Sequence, residues 1–191
     1  MIEVVFNTGN EGKWKIAKEV FSQYGVSLGR EKIDTPEIQA LKVEDVASYS
    51  AAVAAKECAK PVIKSDVGYY IKALNGFPGP YIKFINQWLE SEDILRLLEG
   101  KSNREIVIEE ALALATPEGD VEIFSDIDKG EVAVEPAGEG QSIDRVIIRS
   151  RQDKQQALYS AEEMFDYWTE NLEHYHQAAK FIANKYQENK R

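Results

Sequence analysis

The first twenty-four residues constrain this chain most. Ile2 to Phe6 is a short apolar run rich in β-branched residues, and Asn7-Thr8-Gly9-Asn10 follows as a turn-forming loop. From Lys13 to Tyr24 the spacing turns helical, with Trp14, Ala17, Val20, Phe21 and Tyr24 on one stripe, and Gly25 is placed to end the helix. Strand, polar loop, then amphipathic helix is the opening of an α/β protein. In that class the loop at the strand's C-terminal end is where ligands bind.

Further elements follow at similar density. Val26–Ile33 reads as a strand, Val43–Lys60 as an Ala-rich helix stopped by Pro61, and Val62–Ser65 as a short strand, with Tyr69–Ala73 a further candidate. Leu74–Pro80 carries two Gly and two Pro and reads as loop, before helices at Tyr81–Leu89 and Asp93–Leu98. Ile106–Thr116 and Val121–Phe124 predict a hairpin across Pro117-Glu118-Gly119-Asp120. Glu131–Val134 and Ile143–Ile148 read as strands, and a last helix runs from Thr169 to Asn189. Its apolar stripe includes Leu172, Tyr175, Ala179, Ile182 and Tyr186. The pattern predicts a mixed central β-sheet flanked by helices. The 191 residues, free of repeats and convincing linkers, predict one domain over 1–191.

Charge narrows the function classes. A formal net charge of −10 repels nucleic-acid backbone and anionic membrane, so the expected partner is not a nucleic-acid polymer or a membrane. It does not exclude a single nucleotide, because a local lysine, backbone N–H groups and a divalent cation can meet one small anion. No stretch approaches the roughly 18 apolar residues of a membrane span. The only cysteine, Cys58, cannot form an internal disulfide, which points to a reducing compartment. Cys58, His174 and His176 do not form a zinc-ligand cluster.

Three segments carry chemistry. In Thr8-Gly9-Asn10-Glu11-Gly12-Lys13, Thr8 and Asn10 supply neutral hydrogen bonds and Lys13 a point charge at a helix N-terminus suited to phosphate. A plain capped helix start would use Asn10 equally well. In Lys64-Ser65-Asp66-Val67-Gly68, Asp66 can ligate a divalent cation or activate water, or can simply be a turn residue. Gly76-Phe77-Pro78-Gly79-Pro80-Tyr81-Ile82-Lys83 reads as a shaped wall leading into a helix, with Lys83 facing either a phosphate or solvent.

Together these segments resemble the inosine triphosphate pyrophosphatase family. The likeness lies in the Thr-x-Asn-x-x-Lys loop, the acidic strand end, the Gly-x-Pro-Gly loop, and Thr35-Pro36-Glu37-Ile38-Gln39, which is similar to the segment carrying a metal-binding glutamate. It is strong to about residue 90 and weaker beyond. The resemblance implies two lobes around a nucleotide cleft. It also implies Mg²⁺-dependent hydrolysis of nucleoside triphosphates, inosine and xanthosine nucleotides foremost, to monophosphate and pyrophosphate by a cytosolic homodimer. Carried over by residue, Thr8, Asn10 and Lys13 hold phosphate, Glu37 and Asp66 hold metal, and Asp66 with Lys13 serves catalysis. Lys83, Asp144 and His174 complete substrate binding.

The chain also departs from that pattern. The acidic pair is Ser65-Asp66, Ile16 stands at an acidic position, and Ser50 and Thr169 stand where lysines are usual. The base-cradling aromatic-Gly-aromatic-Asp is Gln141-Ser142-Ile143-Asp144, and the closing Ser-His-Arg is Glu173-His174-Tyr175. These changes predict weak activity or altered base preference, or a catalytically impaired nucleotide-binding or interaction paralogue. The aromatic C-terminal segment reads as core or dimer packing, with Tyr175 the candidate if one ring stacks on a base.

Overall fold

A computed structural model describes residues 3–187. In chain order the strands are β1 (Val4–Asn7), β2 (Leu28–Glu31), β3 (Val62–Ile71), β4 (Pro78–Gly79), β5 (Glu105–Ala115), β6 (Val121–Val132) and β7 (Ile147–Arg149). The helices are α1 (Glu11–Gln23), α2 (Val43–Cys58), α3 (Ile82–Trp88), α4 (Ser91–Arg96), α5 (Ala161–Asn171) and α6 (Glu173–Gln187). The sheet order is β2-β1-β3-β5-β6-β7, with β4 paired to β3. β1 lies parallel to both β2 and β3, while β3–β4 and β6–β7 are antiparallel, so the sheet is mixed, as expected.

The chain divides into two compact units. The first holds the chain up to Asp66, Glu110–Asp126 and the chain from Phe165 on; the second holds Val67–Glu109 and Ile127–Met164.

In the first unit, strand alternation sorts side chains onto two faces. Val4, Phe6, Ile63, Leu112 and Leu114 join one cluster with Ile16, Val20 and Phe21 of α1 and Tyr175, Ala179 and Ile182 of α6. Val5, Val62, Ala111, Ala113 and Ala115 join another with Val43, Ala47, Ala51, Ala54 and Ala55 of α2. Helices α1 and α6 therefore cover one face and α2 the other. The second face is alanine and valine, seven alanines to three valines, which lets α2 approach closely and leaves little room for a larger side chain. In the second unit Tyr69, Ile71, Ile85, Ile94, Leu98, Ile106, Ile108, Ile143 and Ile147 form one core.

Several expectations need correction. The candidate strands Val62–Ser65 and Tyr69–Ala73 are one ten-residue strand, β3. The strand expected at Glu131–Val134 is the end of β6, which runs on from Val121 through Asp126, Asp128 and Lys129 with exposure alternating along it. Of Ile143–Ile148 only the end is strand. The single C-terminal helix is two helices parted at Leu172. Ile2 and Asn189 lie outside the described residues.

Helix α5 has a clear chemical start. The Glu163 N–H donates to Ser160 Oγ at 3.1 Å, and the Ser160 N–H donates to Glu163 Oε2 at 2.6 Å, a reciprocal capping box. Ser160→Ala removes one half of it, and the expected loss is about 1 kcal/mol of folding stability, measured by urea unfolding with an unchanged m-value.

Candidate phosphate and metal site

At the end of β1 the chain turns sharply into α1. Asn10 caps that helix: its Oδ1 accepts from the Lys13 backbone N–H at 3.0 Å, while its own N–H donates to Thr8 Oγ1 at 3.1 Å. Arg30 of β2 holds the loop from the side, its Nε donating to the Thr8 carbonyl at 3.4 Å and its Nη1 paired with Glu11 at 2.6 Å. The Thr8–Lys13 segment is thus a structured turn at a helix N-terminus, where the dipole and first N–H groups favour an anion.

Lys13 then reaches across to β3. Its Nζ donates to the Ser65 carbonyl at 3.2 Å, tying the loop to the strand that carries Asp66. Alternation along β3 continues past the core. Val62 faces α2 and Ile63 faces α1 and α6, so Lys64 and Asp66 fall on the α2 side and Ser65 on the other. The Ser65 side chain agrees, since its Oγ accepts from the Tyr175 hydroxyl of α6 at 3.2 Å.

Asp34 and Glu37, both exposed, lie on the loop between β2 and α2. Asn7 anchors that loop. Buried to 2% exposure, its Oδ1 accepts from the Ile33 N–H at 3.0 Å and its Nδ2 donates to the Ile33 carbonyl at 3.1 Å. A side-chain amide thereby continues the β1–β2 ladder for one more step. Lys64 reports how these groups gather. Burial pushes its ammonium below the usual lysine range and the charge of Lys13 pushes the same way, while Glu37, Asp66 and Asp34 oppose them.

Asn7, Arg30 and Lys64 were not singled out from sequence. Lys64 had one visible signal: a lysine that breaks an apolar strand two positions before an aspartate. Asn7 and Arg30 had none, because their roles depend on chain brought together by folding.

His174 and Tyr175 sit in the first unit. His174 is 1% exposed, with Nε2 3.8 Å from Glu110 Oε2. Tyr175 is 3% exposed and lies edge-on to Phe6, Phe21 and His174. Burial pushes its hydroxyl above the usual tyrosine range, only partly countered by the Ser65 hydrogen bond, so it stays a neutral donor. Its ring is core, and no face is open for a base to stack on. Tyr175→Phe is expected to cost about 1 kcal/mol of stability through the lost hydrogen bond while leaving the ratio of inosine to adenosine triphosphate turnover unchanged. Urea unfolding and parallel rate measurements check both parts.

Lys83 and Asp144 belong to the second unit. Lys83 is exposed in the first turn of α3. Asp144 is mostly buried; its Oδ1 accepts from Gln156 Nε2 at 2.8 Å, and Gln156 Oε1 accepts from Arg149 Nε at 3.1 Å. Burial raises the Asp144 carboxyl from 3.8 to about 6, against the attraction of Arg149. The adjoining segment is held by Asn86 of α3, whose Oδ1 accepts from Ser142 Oγ and the Ile143 N–H at 3.1 and 3.2 Å, and whose Nδ2 donates to Gln141 at 2.9 Å. Asn86 is another residue the sequence reading missed. Ile143 is 1% exposed and packs in that unit's core.

Among the described residues no group of three or more His, Cys, Asp and Glu side chains could hold a metal ion by itself. The donors present still suit a hard cation that keeps several waters. Such an ion needs only one or two carboxylates from the protein, a number that Asp66 and Glu37 could supply.

The arrangement is that of a mixed-sheet α/β protein with a phosphate-suited helix start tethered to an acidic strand end. A model of the Ham1 family matches residues 4–180. The chain is 37% identical over 163 residues to a dITP/XTP pyrophosphatase of Methanopyrus kandleri, covering 85% of this chain and 87% of that one. It is 32% identical over 189 residues to a dITP/XTP pyrophosphatase of Thermococcus kodakarensis, covering 98% and 99%. Its fold is similar to a solved HAM1 protein from Coxiella burnetii, with a TM-score of 0.78, 22% identity, and 98% and 100% coverage. The chain belongs to the Ham1 family.

Proposed function

We propose that this chain is a nucleoside triphosphate pyrophosphatase acting on deaminated purine nucleotides with Mg²⁺ as its metal. One observation carries the reading: Lys13, fixed at the start of α1, is tethered to the Ser65 carbonyl beside Asp66. That linkage joins a phosphate-binding element to a carboxylate. The names of the archaeal relatives, dITP/XTP pyrophosphatases, support the substrate class.

Water attacks the α-phosphorus, the bond from that phosphorus to the oxygen bridging to the β-phosphate breaks, and pyrophosphate leaves. Thr8, Asn10 and the first N–H groups of α1 orient the phosphates. Lys13 opposes the charge growing on the leaving pyrophosphate, and Asp66 accepts a proton from the attacking water. Glu37 and Asp66 would hold the cation, which when bound offsets phosphate charge as a Lewis acid. Lys83, Asp144 and His174 contribute to binding the rest of the nucleotide, as the family likeness implies. The same likeness supports a cytoplasmic homodimer, to be tested by sedimentation. No helix among the described residues is long and apolar enough to cross a membrane.

The test is product analysis over a panel of nucleoside triphosphates with Mg²⁺. Xanthosine and inosine triphosphates should each give one pyrophosphate and one monophosphate. Release of orthophosphate instead, or no release from folded protein, would sink the reading. The second reading, a nucleotide-binding paralogue without catalysis, is favoured by one observation: the Ser65 hydroxyl is engaged by Tyr175 rather than turned to the Asp66 side. Binding without product release would select it.

A further inference from the structure

The geometry points to Lys64 as a second phosphate-holding cation of this site, gripping the pyrophosphate end of the triphosphate together with Lys13. The inference rests on the proposed nucleotide site and deepens it.

Three observations carry it. First, β3 places Lys64 and Asp66 two residues apart on the same face, the one covered by α2, while Ser65 turns away to Tyr175. The lysine stem therefore runs beside Asp66 and not into the α1–α6 core. Second, the ammonium is partly buried, and none of the described residues gives it a hydrogen bond or a close ion pair. A lysine taken out of water normally finds such a partner in the fold, so one without it is set for a partner arriving from outside. Third, Lys13 comes to the same stretch of β3, its Nζ donating to the Ser65 carbonyl at 3.2 Å, so two ammonium-bearing side chains converge beside Asp66. Two ammonium groups brought together oppose each other. A pyrophosphate group, with several anionic oxygens in reach of both, converts that repulsion into joint attraction.

The helix facing Lys64 strengthens the assignment. The sheet-facing stripe of α2 is Val43, Ala47, Ser50, Ala51, Ala54 and Ala55, with no cation, and its only lysine, Lys56, lies in the last turn and is exposed.

The test measures inorganic pyrophosphate binding by calorimetry in Mg²⁺ buffer, beside kinetics on xanthosine triphosphate. Lys64→Met keeps the stem and deletes the charge; Lys64→Arg keeps the charge; Lys64→Gln is a second neutral variant should Met disturb packing. The thermal midpoint of each establishes folding. The neutral variants should bind pyrophosphate roughly ten- to a hundredfold more weakly, with KM raised by a similar factor, and Lys64→Arg should recover most of the loss. The slope of log affinity against log salt should also flatten in the neutral variants. Pyrophosphate affinity unchanged in a folded neutral variant would overturn the inference, even with wild-type catalysis intact. Wild type that binds pyrophosphate through Lys64 but releases none from any nucleotide would keep the inference and sink the catalytic reading. Wild type that does neither would overturn both.

Discussion

Asp66→Asn is expected to lower kcat/KM for xanthosine triphosphate by about a hundred- to a thousandfold with the fold intact. The substitution keeps the side-chain volume and removes the charge, so it deletes the proposed metal ligand and the proposed proton acceptor together. Loss of a general base alone is worth roughly 10² to 10⁴ in rate. The Mg²⁺ concentration for half-maximal activity should rise as well, because a neutral amide is a poor ligand for a hard cation. Lys13→Ala is expected to give a loss of similar size by another route. Alanine retains the backbone N–H that Asn10 Oδ1 caps, so α1 still starts correctly. The tether to the Ser65 carbonyl goes, and with it the charge proposed to face the leaving group. Removing one preorganised transition-state donor typically costs 10²- to 10³-fold. Initial rates across a Mg²⁺ titration, with thermal melts as the folding control, check both variants. Either one turning over at the wild-type rate would remove that residue from the mechanism.

Local signals made the first unit largely legible. The β1 run, the Asn10 cap and the α1 stripe are contiguous in the chain, and local rules suffice there. Those rules failed at β3, where Asp66-Val67-Gly68 looked like a break between two short strands. The ladder runs through it, and the polar residues inside the strand are the ones that gather around Lys13. Local preference gives way where a site is built, and the misreading itself marked the site. β6 was read short for a related reason, since Ser125, Asp126, Asp128 and Lys129 are poor strand formers placed on a half-exposed strand. For α5 a usable signal was passed over: Ser160-x-x-Glu163 is a capping-box spacing. Asn7 and Asn86 were out of reach, because a buried amide that splices two segments is defined by partners 26 and 55 to 57 residues away. Tyr175 was legible: the apolar stripe of the last helix put it in the core, where it lies, and the alternative of a base platform beside His174 is what fails.

Asp144→Asn is expected to raise stability at neutral pH and to remove a pH dependence carried by the wild-type carboxyl. The carboxyl is buried in the second unit, and desolvation lifts it from 3.8 to about 6 despite Arg149. Arg149, itself 4% exposed, also pairs with Asp128 at 3.3 Å and donates to Gln156, so its charge is shared. A folded-state value above the unfolded one means the folded protein binds more protons between about pH 4 and 6. Stability from this group is therefore greatest below that window and falls as pH rises through it. At 1.36 kcal/mol per pH unit the displacement amounts to at most about 3 kcal/mol. Asparagine is neutral throughout, and its Oδ1 can still accept from Gln156 Nε2. The difference in unfolding free energy between Asp144→Asn and wild type should be smallest near pH 4 and grow in the variant's favour to pH 7, read from urea titrations at each pH. A flat difference would mean the carboxyl is not held up by burial. A buried carboxylate that works against its own fold at neutral pH has the character of a functional group. The stabilised variant should accordingly lose discrimination between xanthosine and adenosine triphosphates. Higher stability with base preference intact would leave Asp144 a structural residue and shift base reading to other side chains.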